Sequence, residues 1–498
     1  MSMKMAVNKK FKKVVILDSV ILYPEHRKVL ESLAEEIVEY PSSLPDRLEE
    51  QYAATPDLFK NIKCYTELGA DNTSAQLLMN RIDGADVVIS CWTGIPDEVL
   101  KLNPQLKLII FWTHEKEHRI NLKLAEVLGM TVTNIPDYGT DSVSEAVFAG
   151  LFKVWEKNYQ SDQVTRSQYT VAQAVMAKIF HLYRQLANNE KYTRSGKFTH
   201  HFHKLGLINF DFNKKSLDEL IPEHLVEYKN IGLLNINNPD LRDMLAAFNI
   251  NYQEFTLTDS NLATYYKFIS ANEYIIYDSQ QLAEREVKKL SMLAQDKIID
   301  IQSLAPIDYD VKGKIFGVIG FGRIGQKVAK LAHDFGFEVL YYSKTAKPEL
   351  AQALGVRYGS LEEVISQSDV VSLHVPAYKA EGLIDKNLID LLKNKTIFIN
   401  TADGNAIDQA SLSKRMLANE IIAYLDVYQG LPRKDIMGLD MADPADWKLK
   451  KVLANHVLAY RVGWKTQESI RVKTYKMLGE LIDYQIAKHD IYSLPVEL

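Results

Sequence analysis

Residues 315–325 read Ile-Phe-Gly-Val-Ile-Gly-Phe-Gly-Arg-Ile-Gly, an apolar run that ends in the pattern Gly320-x-Gly322-x-x-Gly325. The run predicts a buried strand, a helical pattern follows it, and Glu338–Tyr342 predicts a second strand. In this setting the first glycine permits a tight turn, the second lets the backbone approach a pyrophosphate, and the third lets helix and strand pack closely. The helix N-terminus then faces the anion. The alternative is a turn that binds no ligand, but the flanking elements favour a dinucleotide site.

The composition of the whole chain is ordinary for a globular protein. Its 498 residues predict two or three domains, with 47% hydrophobic and 25% charged residues. The net charge of −5 argues against a nucleic-acid partner, and no apolar stretch approaches the ~20 residues of a membrane span. Val14–Leu17 is too short for a signal-peptide core. The two cysteines, Cys64 and Cys91, favour a reducing, cytoplasmic setting over a disulfide framework.

The first 150 residues alternate between strand and helix patterns. We predict strands at Lys13–Leu17, Ala85–Cys91, Leu106–Trp112 and Met130–Asn134, and helices at Glu25–Glu35 and Leu122–Leu128. This alternation implies parallel strands covered by helices. Ser142, with Glu145 three residues later, predicts the capped start of a further helix, and another follows at Val171–Leu186.

A separate strand and helix pattern occupies about residues 228–302. We predict its strands at Ile231–Ile236, Tyr252–Phe255, Tyr274–Tyr277 and Ile298–Ile301. This segment carries no motif with recognisable chemistry, so we interpret it as a packing or interaction module. The final helix, Thr466–Lys488, is predicted to pack back on the first segment.

Several motifs, taken together with the glycine pattern, resemble one family. Three of them are Ser368-Asp-Val-Val-Ser-Leu-His-Val-Pro376, Ile399-Asn-Thr-Ala402 and Leu425-Asp-Val427. A weaker, collinear likeness covers Gly129-Met-Thr-Val-Thr-Asn-Ile-Pro136 and Ser142-Val-Ser-Glu145. On these residues the chain resembles the D-isomer-specific 2-hydroxyacid dehydrogenases, the family of glyoxylate and phosphoglycerate dehydrogenases.

The resemblance implies an α/β fold with a divided first domain. A flavodoxin-like substrate domain at residues 1–186 would be completed by the C-terminal helix at 466–498, and a Rossmann dinucleotide-binding domain would occupy 306–465. Members of the family are usually homodimers through the nucleotide domain. Residues 187–305 exceed the short connection of a standard member, so we predict that they form an inserted α/β domain.

The resemblance also locates three catalytic positions, and all three are replaced. Family members use an arginine that anchors the substrate carboxylate, and a histidine proton donor tuned by a glutamate. Here these positions hold Asp403, Leu431 and Arg461. An acid stands where a carboxylate-binding cation is expected. A guanidinium with a pKa above ~12 stands where a group titrating near neutrality is expected, although an Asp403–Arg461 pair would partly cancel both charges.

The family's glycine-rich substrate loop is altered as well. Trp112-Thr-His-Glu-Lys-Glu-His118 occupies its place, with His114 and Lys116 where glycines are expected. A solvated charged loop is an equally good interpretation of this stretch. The candidate catalytic residues are therefore Asp403, Arg461, Tyr460 and His114, with His118 as a further candidate proton donor.

The cofactor positions are largely kept. The resemblance assigns to them Gly320, Gly322, Arg323, Ile324, Gly325, His374, Val375, Pro376, Thr401, Ala402 and Asp426. The second strand ends in Ser343 and Lys344, where an aspartate normally binds the ribose hydroxyls. Loss of the acid and gain of a donor and a cation favour NADP(H) over NAD(H), with Lys347 nearby. The alternative is that Lys344 is a solvated surface lysine; no motif indicates a metal site.

Three functions fit these residues. The first is an NAD(P)-dependent oxidoreductase acting on a substrate other than a simple 2-keto acid, such as a larger or amine-bearing carbonyl or imine compound, with Arg461 anchoring an anionic group. The second is a nucleotide-binding regulatory protein that has lost catalysis and uses the inserted module for partners. The third is a cofactor-free scaffold or a non-redox enzyme. We favour the first because the cofactor half is nearly complete, although fold alone does not decide function.

Overall fold

Three parallel sheets follow one another along the chain. The computed structural model describes residues 10–18, 20–40, 75–91, 93–114, 116–117, 119–136, 138–159, 167–184, 230–248, 250–258, 262–294, 297–307, 309–376, 380–428, 455–459, 463–464 and 466–489. Within these ranges the sheets have five, four and seven strands, and all of their strands pair in parallel. The predicted α/β class is confirmed.

The first sheet has the order β2-β1-β3-β4-β5, which is the flavodoxin-like order. Its strands are β1 Phe11–Ile16, β2 Ala34–Glu39, β3 Val87–Ser90, β4 Leu108–Phe111 and β5 Thr131–Asn134. Its helices are α1 Pro24–Leu33, α2 Ala75–Ile82, α3 Asp97–Leu102 and α4 Leu122–Val127. The helix predicted to reach Glu35 ends at Leu33, because Ala34 begins an edge strand that pairs with β1. The sequence analysis missed this strand, whose glutamates suit a solvated sheet edge.

The second sheet is formed by the four strands predicted between residues 228 and 302. They are β6 Ile231–Leu234, β7 Tyr252–Phe255, β8 Tyr274–Tyr277 and β9 Ile298–Asp300, in the order β7-β6-β8-β9. The connecting helices are α7 Pro239–Ala247, α8 Leu262–Ala271 and α9 Glu284–Ala294. The short apolar runs and their spacing therefore located this unit correctly.

The third sheet has the order β12-β11-β10-β13-β14-β15-β16, the doubly wound order of dinucleotide-binding domains. Its strands are β10 Ile315–Ile319, β11 Glu338–Tyr342, β12 Arg357–Tyr358, β13 Val370–Leu373, β14 Thr396–Asn400, β15 Ile421–Leu425 and β16 Val457–Leu458. Its helices are α10 Arg323–Asp334, α11 Pro348–Leu354, α12 Leu361–Gln367, α13 Lys386–Asp390 and α14 Gln409–Leu417.

Two long helices, α5 Thr140–Tyr159 and α6 Gln168–Arg184, follow the first sheet along the chain. The predicted helix start at Ser142 is wrong, because the helix begins at Thr140. The Ser142 hydroxyl instead lies 2.8 Å from the Thr466 hydroxyl, just before the last helix. Gly150 is required on α5, because a Cβ there would lie 1.9 Å from the Tyr424 ring of β15.

The four-stranded sheet and α10, the helix that follows the glycine pattern, share one hydrophobic core through α5 and α6. A chain of aromatic rings crosses it. The ring centroids of Phe152 and Phe180 lie 5.3 Å apart, those of Phe180 and Phe248 also 5.3 Å, and those of Phe248 and Phe335 5.6 Å. The inserted unit is therefore packed against the nucleotide domain and does not stand apart from it.

The last helix, α15 Gln467–His489, returns to the first sheet as predicted. Arg471 forms a 2.9 Å ion pair with Glu25 of α1, and Glu480 accepts a 2.7 Å hydrogen bond from Thr133 of β5. The last helix therefore packs against the first sheet and α1, so the two ends of the chain belong to one structural unit.

No helix within the described ranges is both long and apolar enough to cross a membrane. Cys91 is a buried thiol just after β3, and Cys64 lies outside the described residues. The domain boundaries at 186/187 and 305/306 stay predictions.

Candidate active site

The strand ends of the seven-stranded sheet lie level with one another. Ile319 of β10 pairs with Tyr342 of β11 and Leu373 of β13, and the level continues through Asn400 of β14 and Leu425 of β15. The next residues along the chain are the candidates Gly320, Ser343, His374, Thr401 and Asp426. Five separate segments thus meet at one edge, where the strand order reverses and where open α/β sheets bind ligands.

In the fingerprint, the pattern Gly320-x-Gly322-x-x-Gly325, the fold requires two of the glycines, and the third borders open space. Gly320 has a φ of +97°, and a Cβ there would lie 2.3 Å from the His374 carbonyl oxygen. Gly325, in the first turn of α10, would place a Cβ 1.9 Å from the Gly320 carbonyl oxygen. Gly322 caps α10, and a Cβ there meets nothing within 4 Å. Arg323 and Ile324 begin the helix, so the open side of the turn faces the helix N-terminus.

His374 follows β13 and lies beside the Gly320 turn at the edge of the sheet. Its backbone N–H donates to the Ile319 carbonyl at 2.7 Å, and its Nε2 lies 2.9 Å from the Ser372 hydroxyl. Burial lowers the pKa of His374 to about 3, so the imidazole is neutral at neutral pH. Val375 and Pro376 follow it along the same edge, and the Val375 Cγ1 lies 3.0 Å from a Cβ on Gly320.

The end of β11 supplies cations beside the fingerprint turn. The Ser343 hydroxyl donates to the Thr345 carbonyl at 2.6 Å, and Lys344 is exposed. The Lys347 ammonium donates to the carbonyl of Phe321, inside the fingerprint, at 3.0 Å. From the sequence, Lys347 was expected only near Ser343 and Lys344; in the structure its ammonium is hydrogen-bonded to the glycine turn itself.

Thr401, just after β14, has a buried hydroxyl with no hydrogen-bond partner among the described residues. Such an atom is costly unless a ligand or water pairs with it. The neighbouring Ala402 N–H is satisfied at 3.0 Å by the Asn400 side chain, which also donates to the Val427 carbonyl at 2.8 Å. The open glycine cradle and this unpaired hydroxyl on one sheet edge fit a nicotinamide dinucleotide.

Asp403 stands buried, 2% exposed, where the resemblance places an arginine. Its carboxylate accepts a 2.8 Å hydrogen bond from the Asn405 N–H and caps the turn Gly404–Ala406. The Asn400 side chain donates to the Asp403 carbonyl at 2.9 Å. Asp403 therefore has a structural role in shaping the loop, which the sequence analysis did not foresee.

Asp426 is also buried, and it joins the end of β15 to the segment that precedes α15. Its carboxylate accepts a 3.0 Å hydrogen bond from the Gly463 N–H, and its own N–H donates to the Asn400 carbonyl at 2.9 Å. The candidates Tyr460 and Arg461, and the replaced position Leu431, lie outside the described residues.

The altered substrate loop begins where β4 ends. Trp112 is buried, whereas the His114 side chain is exposed. The Lys116 ammonium folds back to the Val132 carbonyl of β5 at 2.9 Å, so this lysine supports the loop. His118 lies outside the described residues. His114 follows β4 of the first sheet and Asp403 follows β14 of the seven-stranded sheet, so these two candidates come from different sheets.

Sequence reasoning missed Lys473, a buried lysine on α15 that is 1% exposed. Its ammonium lies 3.7 Å from the ring centre of Trp112, 4.3 Å from that of Tyr138 and 5.0 Å from that of Trp464. The available signal was a lysine on the same helical face as Ile470 and Met477, both of which are fully buried.

Comparison with known proteins relates part of the chain to one family. The family model described as "D-isomer specific 2-hydroxyacid dehydrogenase, NAD binding domain" matches residues 282–454. A glyoxylate reductase from Thermococcus kodakarensis is 42% identical over 128 residues, 25% of this chain and 38% of that protein. A glyoxylate reductase from Thermococcus litoralis is 38% identical over 165 residues, 33% of this chain and 46% of that protein. The matches thus span less than half of these curated relatives.

A solved structure extends the likeness in fold to nearly the whole chain. The TT0316 protein from Thermus thermophilus has a TM-score of 0.50 and 18% sequence identity, with 95% of this chain and 97% of that chain covered. At this level of identity the likeness shows the fold alone.

Proposed function

The chain belongs to the D-isomer-specific 2-hydroxyacid dehydrogenase family, and from that premise we propose that it is an NAD(P)-dependent oxidoreductase with a non-standard active site. The observation that carries the proposal is the glycine cradle at Gly320–Gly325 on the same sheet edge as the unpaired Thr401 hydroxyl. A fold that had abandoned the cofactor would not need to leave this hydroxyl buried and unpaired. When bound, a nicotinamide cofactor supplies or accepts a hydride.

The residues of this chain would hold and orient that cofactor. The N-terminus of α10 and the backbone around Gly322 would receive the pyrophosphate, because the space beside Gly322 is open: a Cβ there meets nothing within 4 Å. The Thr401 hydroxyl and the edge around Asp426 would hold the nicotinamide side. Because burial lowers its pKa, the His374 imidazole is neutral and would contact the adenosine side of the cofactor without adding a charge.

We propose that NADP(H) is preferred over NAD(H). Ser343 follows β11 where an acid would repel a 2′-phosphate, and Lys344 and Lys347 bring two cations to the same corner. Lys347 is already attached to Phe321 of the fingerprint, so little side-chain freedom is lost when a phosphate binds.

The substrate, on this proposal, is not a simple 2-keto acid. The buried Asp403 carboxylate stands where the family binds the substrate carboxylate, and two anions at close range repel strongly in a desolvated site. A larger or amine-bearing carbonyl or imine compound suits this position better.

Thermal unfolding with NADPH, NADH or buffer tests the cofactor proposal first. Preferential binding stabilises the native state, so NADPH should raise the unfolding temperature more than NADH. The Lys347→Met variant should lose the difference between the cofactors, while Lys386→Met, which changes an exposed lysine of α13, should keep it. Equal shifts with both cofactors would remove the NADP(H) preference, and no shift with either would overturn the oxidoreductase proposal. A screen of carbonyl and imine compounds, followed by nicotinamide absorbance, then tests the reaction.

A second candidate is a nucleotide-binding regulatory protein without catalysis. It is favoured by the structural use of Asp403, whose carboxylate caps a turn. The two functions differ in one outcome. A regulatory protein binds NADPH and changes its affinity for a partner, but shows no turnover over a broad substrate screen.

A further inference from the structure

The buried ammonium of Lys473 occupies a cage of three aromatic rings. Trp112 and Tyr138 are almost fully buried, and the rings of Tyr138 and Trp464 meet edge to face at 6.1 Å and 86°. A cation over an aromatic face is attracted by the ring quadrupole, more so when both are desolvated. A leucine or methionine would fill this place on an apolar helix face without the cost of burying a charge.

The three rings belong to three different segments. Trp112 follows β4 and begins the altered substrate loop, and its backbone N–H donates to the Ser90 carbonyl at 2.7 Å. Tyr138 lies in the link from β5 to α5. Trp464 follows Gly463, which Asp426 holds from the cofactor side. Lys473 is thus a common contact of the substrate-side sheet and both links that connect it to the nucleotide domain.

A continuous series of contacts therefore runs across the candidate site. It begins at the Asp426 carboxylate, passes through Gly463 and Trp464 to the Lys473 ammonium, and ends at Trp112, two residues before His114. The first turn of α5 and the segment just before α15 are also joined directly, because the Ser142 hydroxyl lies 2.8 Å from that of Thr466. Lys473 adds the connection to the substrate loop.

We propose that Lys473 is a positioning residue that fixes the altered substrate loop relative to the cofactor-side wall of the cleft. It acts through Trp112 and Trp464 and does not itself contact the reacting atoms. The catalytic part of this inference rests on the proposed function, whereas the positional part stands on the cage alone.

The first test is limited trypsin cleavage of the full-length native protein, with the cut sites identified by mass spectrometry. Lys116 and Arg119 lie in the loop that Trp112 anchors. Loss of a desolvated cation–π contact in Lys473→Met should raise the cleavage rate after Lys116 about tenfold. Lys473→Arg keeps a cation over the rings, so its cleavage rate should lie closer to that of the wild type than the rate of Lys473→Met does. Lys386→Met serves as the control, and a Lys473→Met rate equal to that of the control would overturn the inference.

A second variant keeps the test decisive if Lys473→Met does not fold. Trp464→Leu removes a ring from the other side of the cage, so it should also accelerate cleavage after Lys116, although Trp464 is not part of that loop. In a folded Lys473→Met background the Trp464 substitution should add nothing, because the shared contact is already lost. Independent, additive effects of the two substitutions would overturn the inference.

The last test separates positioning from simple loss of stability. With any substrate that the wild type turns over, Lys473→Met should lower kcat about tenfold with an unchanged NADPH Kd, and Lys473→Arg should restore kcat. An unchanged kcat in Lys473→Met would overturn the catalytic part. If the wild type binds no cofactor and turns over nothing, the proposed function fails, while the cleavage comparison still decides the role of the cage.

Discussion

Two glycines of the fingerprint provide a matched pair of substitutions with opposite expected effects. Gly325→Ala directs a methyl group at the Gly320 carbonyl oxygen, 1.9 Å away, whereas Gly322→Ala directs one into open space. The backbone at Gly322, with φ −76° and ψ −169°, is extended and suits any residue. The first change should therefore damage the fold, and the second should damage only cofactor binding.

The structure gives the size of each effect. In Gly325→Ala the new carbon must move by more than about 1 Å against backbone, which costs about 3 kcal/mol, while the lost flexibility of glycine returns at most about 1 kcal/mol. The net destabilisation is about 2 kcal/mol. In Gly322→Ala a small loss of helix capping is offset by a gain of about 0.4–1 kcal/mol from the unfolded state, so stability should barely change.

Unfolding with and without NADPH measures both quantities in one experiment. At a cofactor concentration of 100 times Kd, the wild type should gain about 2.7 kcal/mol. Gly322→Ala should start from wild-type stability and lose this gain, because the methyl group occupies the place of the pyrophosphate. Gly325→Ala should be less stable before any cofactor is added. A Gly322→Ala variant that keeps the full NADPH gain would refute the assignment of this turn as the pyrophosphate site.

Three further predictions follow from buried contacts. Gly150→Ala forces a methyl group to within 1.9 Å of the Tyr424 ring and should cost about 3 kcal/mol in urea unfolding, with partial recovery in a Tyr424→Leu background. Burial lowers the pKa of His26 from 6.5 to about 4, so on acidification the unfolded state takes up the proton first. The free energy of unfolding should therefore fall by on the order of 3 kcal/mol as the pH drops from 6.5 to about 4. His26→Phe should remove this pH dependence. Burial alone would raise the pKa of Asp86, but the hydrogen bonds from Lys107, Lys12 and Lys13, together with the charge of Lys107, outweigh burial and lower that pKa. The stabilisation present above pH 3.8 should therefore be lost on further acidification, and Asp86→Asn should lack this loss.

Most of the sheet architecture was predictable from the sequence, for a physical reason. Parallel strands are buried on both faces, so each appears as a short apolar run, as in Leu108–Phe111 and Ile231–Leu234. Ala34–Glu39 was missed because it lies at a sheet edge, where glutamates take the solvent-facing positions and the continuous apolar run is lost. Ser142 was misjudged because its pattern fits a cap, while its actual partner, Thr466, lies at the far end of the chain.

The positions along the candidate cofactor edge were predictable from the sequence, and the side-chain contacts around them were not. Gly320 lies in a motif whose spacing follows from local strand, turn and helix geometry, and the resemblance to the family located Thr401 and Asp426. The roles of Asp403 and Lys473 depend on partners brought by the fold. Asp403 caps a turn, and Lys473 meets rings from three segments, so neither role has a local signature.

The shared core changes the interpretation of the inserted unit. A module that only carried a partner-binding surface would need few contacts with the nucleotide domain, because interfaces between mobile domains are small and more polar. Here Phe248, at the end of α7, packs against Phe335, at the end of the fingerprint helix, within a core that also includes α5 and α6. The insertion therefore supports α10, the helix whose N-terminus lies at the proposed cofactor site. This arrangement favours the oxidoreductase proposal over a separable regulatory module, because the additional structure buttresses the part of the site that the chain has kept.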